Sequence, residues 1–155
     1  MTAENFLRFC KFSKAKQSRT KILYKDKNEI PLYVIEEVVN KPGDKQYNYY
    51  HFDKKFNEYI IRRFIWEEGM LANYLIENRA DELQELLDKG HLYSTIERRI
   101  HKAERTINRM VEQIANTDTE MLTAKNDNDI KKYRRLKNGL TVSIRNEIYK
   151  RMVFI

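Results

Sequence analysis

Leu92, Ile96, Ile100, Ala103, Ile107, Met110 or Val111, and Ile114 follow one another at steps of three and four residues, close to the 3.6 of an α-helix. That spacing predicts one long amphipathic helix. Tyr133, Leu136, Leu140, Ile144 and Ile148 repeat it and predict a last helix from about Ile130 towards Met152. Gly139 sits inside that second stripe, a soft spot costing roughly 1 kcal/mol relative to alanine. Thr117-Asp118-Thr119-Glu120 and the Asn and Asp residues of 126–129 offer N-caps between the two helices. Further back, Asp81 to Leu87 reads as a short helical piece stopped by Lys89-Gly90, with the glycine left-handed. Phe56, Tyr59, Ile60, Phe64, Met70, Leu71, Tyr74 and Leu75 also fall mostly at helical steps, so everything after Asp53 is expected to be helical.

The N-terminal third has another texture. Lys21 to Lys25 is β-branched and aromatic, breaks at Asp26-Lys27-Asn28, and resumes from Ile30 to Val39 as a candidate hairpin. Pro31 suits a strand start, Asn40-Lys41-Pro42-Gly43-Asp44 is a turn, and Tyr47, Tyr49, Tyr50 and Phe52 could add a third strand. The expected fold is therefore mainly α within the α+β class: a helical bundle or long α-hairpin of residues 92–115 and 130–152, with a small N-terminal antiparallel β-hairpin or sheet. Residues 1–20 read as a basic arm, with Phe6, Leu7, Phe9, Cys10 and Phe12 as its apolar patch. Residues 21–155 read as a single mostly helical domain, with a small β element over 21–52 and helices over 53–155.

Composition narrows the class. Of 155 residues, 41% are hydrophobic and 34% charged, so the core is thin and the surface crowded with charge. One cysteine cannot form an internal disulfide, and no apolar run is long enough for a membrane span or a secretory leader. A cytoplasmic protein is expected. The net charge of +7 is unevenly spread. Residues 1–28 hold eight bases and two acids, residues 131–155 eight bases and one acid, and residues 29–130 fourteen bases and twenty acids. Basic ends favour a polyanionic partner.

Chemistry for catalysis is sparse. His51, His91 and His101 stand apart with no metal-ligand spacing, four scattered glycines make no phosphate loop, and Ser94 and Ser143 lack an evident His partner. Neither enzyme, metal nor cofactor is expected. The positive signal is Lys131, Lys132, Arg134, Arg135 and Lys137 on the last helix, joined by Arg145. Such a helix fits a major groove or lies along phosphates. Arg98, Arg99 and Arg105 on the preceding helix could extend the strip, and Lys11, Lys14 and Lys16 could add the arm. Tyr47, Tyr49 and Tyr50 fit packing in the sheet better than stacking on bases.

The order Tyr74-Leu75-Ile76-Glu77-Asn78-Arg79, Leu86-Leu87, Gly90-His91-Leu92, Ala103, Gln113-Ile114-Ala115 and Thr119-Glu120-Met121-Leu122-Thr123-Ala124 resembles the TnpV family of transposon-encoded proteins. Those proteins read YLKEHR, LL, GKL, QMA and TExLKA in this order. The resemblance implies a small accessory protein of a mobile element, associated with DNA, and carries over no catalytic residue. The favoured reading is a non-enzymatic accessory protein of a transposon, plasmid or phage that binds DNA through its basic C-terminal helix and N-terminal arm, its expected partners being duplex DNA or a nucleoprotein complex and a recombinase or host nuclease. The rival is a protein-binding antagonist of host defence, such as an inhibitor of a nucleic-acid-guided nuclease. No membrane partner is expected, and self-association is open.

Overall fold

The computed structural model describes residues 19–41 and 44–155. They form a four-stranded antiparallel sheet and five helices, an α+β fold. The contacts divide the chain into two compact units, residues up to Gly90 and His91–Ile155, and each is described by itself. The basic arm before Arg19, including Cys10, lies outside the described residues.

The described part of the first unit holds the sheet, whose strands β1 (Thr20–Lys25), β2 (Pro31–Lys41), β3 (Asp44–Asp53) and β4 (Glu58–Arg62) lie in sequence order. The β1–β2 turn is fixed by Asp26, whose carboxylate accepts from the backbone N–H groups of Asn28 at 2.9 Å and Ile30 at 3.0 Å, the Asx geometry that a short acid favours. Pro31 opens β2 as expected and is fully buried. The Tyr59 hydroxyl donates to its carbonyl at 2.6 Å. Both faces of the sheet bury apolar residues. Val34 and Tyr50 share one face, with Ile22 and Tyr59 packed against them, while alternation sends Ile35 and Tyr49 to the other. There the Tyr49 hydroxyl donates to Oδ1 of Asn73, and its ring meets Phe64 edge-on at 4.8 Å.

β4 corrects the expectation that everything after Asp53 is helical. Glu58 to Arg62 pairs with β3 from Asp53↔Glu58 to Tyr49↔Arg62. Asp53 turns the chain by accepting from the Lys55 N–H at 2.8 Å, and Asn57 takes a left-handed φ of 55°, which asparagine tolerates best after glycine. The apolar steps Phe56, Tyr59, Ile60, Phe64 mimic a helix, but a ready partner strand outweighs weak helical spacing among β-branched and aromatic residues. After Asp53 the first helix among the described residues is α1 (Trp66–Asn78), followed by α2 (Ala80–Asp88). α1 buries Leu71, Ala72 and Leu75, α2 buries Leu83 and Leu87, and Gly90 ends the unit at φ 68° as the sequence suggests.

The second unit is α3 (Leu92–Ala115), α4 (Thr119–Asn126) and α5 (Ile130–Met152). The expected stripe on α3 is buried from Leu92 through Val111, but it ends on Ala115 and leaves Ile114 36% exposed, because the chain turns into α4 directly after Asn116. α3 and α4 each pack on α5, whose Ile144, Ile148 and Tyr149 are buried; Tyr133, Leu136 and Leu140 are only half-buried. Asp118 and Asp129 cap as their positions suggest, accepting from the N–H groups of Met121 at 2.9 Å and Lys132 at 3.1 Å.

Candidate nucleic-acid interface

α5 carries six of the cations singled out in the sequence, and the fold sorts them into two sets. Lys137 donates to Glu112 of α3 at 2.7 Å, Arg145 to Glu104 of α3 at 3.0 Å, and Lys132 lies 3.7 Å from Glu120 of α4. These three serve in part to hold the helices together. Lys131, Arg134 and Arg135 are exposed, and among the described residues none of them is ion-paired. At 100° per residue they share an arc of about 100° on the first turns of α5. Counting charge along a sequence cannot separate the sets, because the acids that neutralise Lys137 and Arg145 are 25 and 41 residues away.

One of these contacts, at Glu104, joins two residues of α5. The two carboxylate oxygens of Glu104 accept separately, from the Tyr149 hydroxyl at 2.6 Å and from Arg145 at 3.0 Å. Partial burial alone would raise the Glu104 pKa, but the hydrogen bonds from Tyr149 and Arg145, and the charge of Arg145, hold it below the ordinary value. The hydrogen bond and charge of Lys137 lower the Glu112 carboxyl in the same way and raise Lys137 in return.

Glu104 and Glu112 meet Arg145 and Lys137, so α3 and α5 run antiparallel, and levels along their axes can be compared. Arg105 lies about 20 Å and Arg98 about 30 Å from the level of Lys131, at 1.5 Å per residue. Those two therefore form no single cluster with the α5 cations. They belong instead to a row that sequence counting found only in part. With Ile100 of the buried stripe set to zero, Arg98, Lys102, Arg105 and Arg109 fall between about 140° and 200°, on the outward face of α3. The row is about 16 Å long. All four are exposed, and among the described residues none is ion-paired. Lys102 and Arg109 were missed, although the same period that locates the core locates them opposite it. Arg99 falls outside the row, half-buried beside the apolar stripe. Glu97, Glu104 and Glu112 all lie off this arc, and the latter two are turned to α5. The outward arc of α3 presents four like charges, each within a Debye length of the next, an arrangement that costs self-repulsion and attracts polyanions.

The remaining candidates do not join this surface. Lys11, Lys14 and Lys16 lie outside the described residues. Tyr49 and Tyr50 are buried in the sheet, and Tyr47 is half-buried. His51 stacks on Tyr33 at 4.9 Å between ring centres, while His91 and His101 are exposed on the other unit. Among the described residues no three His, Cys, Asp or Glu side chains stand together in a way that could hold a metal ion. No helix there is long and apolar enough to cross a membrane. Compared with models of protein families, with curated proteins and with solved structures, the chain matches none.

Proposed function

We propose that this chain is a non-enzymatic nucleic-acid-binding protein whose second unit grips the phosphate backbone of duplex DNA. The outward row of α3 makes the main contact, and Lys131, Arg134 and Arg135 of α5 make a second. The observation that carries the reading is the sorting of charge on α3: its acids Glu104 and Glu112 are paired with α5, while Arg98, Lys102, Arg105 and Arg109 face away from the core. Solubility alone would be served by mixed signs on that face. Phosphate contacts position a protein without reading sequence, so the binding is expected to be weakly sequence-specific and architectural. The resemblance to TnpV proteins supplies the setting, an accessory factor of a mobile genetic element acting beside a recombinase.

The salt dependence of binding tests this. Four phosphate contacts predict that log affinity for a duplex of arbitrary sequence falls against log salt with a slope of about −3.6, and seven contacts predict about −6.3. Changing Arg98, Lys102, Arg105 and Arg109 together to Gln should flatten the slope by about 3.6. A slope indifferent to this replacement removes α3 from the interface. Absence of salt-sensitive binding by the wild-type chain removes the function.

A further inference from the structure

The two edges of the sheet are built differently. β1, at one edge, is irregular: its register against β2 shifts near Tyr24 and again before Lys25, and it carries exposed lysines at 21 and 25. Bulges and edge lysines keep further strands from adding to a sheet. β4, at the other edge, has neither device. It pairs with β3 without a register shift and contains no lysine or proline, and no other strand of the sheet lies on its outer side. Apolar surface gathers here too. Of the ten large apolar side chains that are exposed among the described residues, six lie between Phe56 and Met70, with Ile60 at 50%, Ile61 at 39% and Trp66 at 67%. Apolar surface collected in this way marks a place that another molecule covers.

The open strand, Glu58-Tyr59-Ile60-Ile61-Arg62, is complementary to its own reverse. Laid antiparallel to a second copy about a two-fold axis at Ile60, it sets Glu58 opposite Arg62, Tyr59 opposite Ile61 and Ile60 opposite Ile60. Opposite charges, an aromatic with a β-branched residue, and two β-branched residues are each pairs that stabilise antiparallel strands. Moving the axis to Tyr59 or Ile61 sets a charge opposite isoleucine instead. We infer that a second copy of this chain docks on β4, joining two four-stranded sheets into one of eight strands through an isologous two-fold contact. The antiparallel arrangement brings the hairpin end of one strand, with exposed Phe56, towards the far end of the other, where Ile65, Trp66 and Met70 line an open cavity of 640 Å³. Arg62 also interacts within its own chain, so it is shared between that contact and Glu58 of the second copy. Every residue involved belongs to the first unit, and the dimer does not require duplex binding by α3.

Sedimentation equilibrium of the full chain at about 50 µM should give twice the mass of one chain. I60K sets two ammonium groups across the axis, while E58R and R62E each set like charges opposite one another twice. Each variant should raise the dissociation constant at least about tenfold, with an unchanged circular dichroism spectrum. An equimolar mixture of E58R and R62E restores both opposite-charge pairs, so the mixture should regain the dimer while each variant alone stays dissociated. Contacts of residue 62 within its own chain are the same in the pure and mixed samples, so only pairing between copies moves this readout. I60C, in a chain whose one native cysteine is removed by C10S, places two thiols directly opposite each other, with Cα atoms about 4.5 to 5.5 Å apart, and should cross-link under mild oxidation. K21C on β1, in the same background, should not. The Gln replacement of the α3 row should lose duplex binding yet leave the dimer intact, so the two readings fail separately. A chain that remains monomeric at that concentration overturns the inference, as does a dimer indifferent to I60K. Mixed variants that stay apart, or cross-linking through K21C in place of I60C, overturn it as well.

Discussion

Replacing Glu104 by Gln tests whether the α3–α5 contact rests on charge. The carboxylate receives one hydrogen bond on each oxygen, from Tyr149 and Arg145, and a glutamine amide can accept only on its single oxygen. The change therefore deletes one charge-assisted bond and removes the negative charge that Glu104 sets beside the Arg145 guanidinium. Bonds to charged groups contribute about 1.5 to 3 kcal/mol when dry, but the Glu104 and Arg145 side chains keep 28% and 39% of their exposure, so water replaces part of the loss. About 1 to 2 kcal/mol is expected, which lowers the urea midpoint by roughly 0.5 to 1.5 M for a chain of this size. The pH dependence separates charge from shape. The folded pKa of Glu104 lies below its ordinary 4.5, so the stabilisation is complete above that value and fades as pH falls through the lower, folded one. Wild type and E104Q should thus differ at about pH 7 and draw together as pH falls through the folded value, followed by far-ultraviolet circular dichroism. Equal midpoints at neutral pH refute the reasoning. A gap that survives undiminished in acid refutes it too, since the loss would then come from packing.

Two further outcomes follow from the helices. Gly139 lies in the interior of α5 with no atom near the position of a Cβ, so G139A should raise stability by about 0.5 to 1 kcal/mol, and an unchanged or lowered urea midpoint would contradict the open surroundings. Asp129 caps α5 through the Lys132 N–H, so D129A should cost about 1 kcal/mol while D129N keeps most of the cap; thermal melts of the two variants that coincide with wild type would deny the cap any weight.

What the sequence made legible was local. Periodicity located α3 and α5, short acids located their caps, and Gly90 marked the end of α2, because each depends on neighbours within a turn or two of helix. The strand β4 was not legible, since Tyr59, Ile60 and Ile61 carry no sign of the partners on β3 that decide their conformation. The candidate interface failed in the same way. Lys137 and Arg145 look like Arg134 and Arg135 until the fold brings Glu112 and Glu104 to them. Lys102 and Arg109 were readable in principle, because the period that finds the inside of α3 also finds its outside.

The division of labour around α3 has a consequence for altering the protein. The carboxylates that clamp this rod in place and the bases along its back are different residues, so the two can be altered independently. Reversing the sign of the back alone should abolish the proposed duplex binding without loosening the seat of α3 on α5.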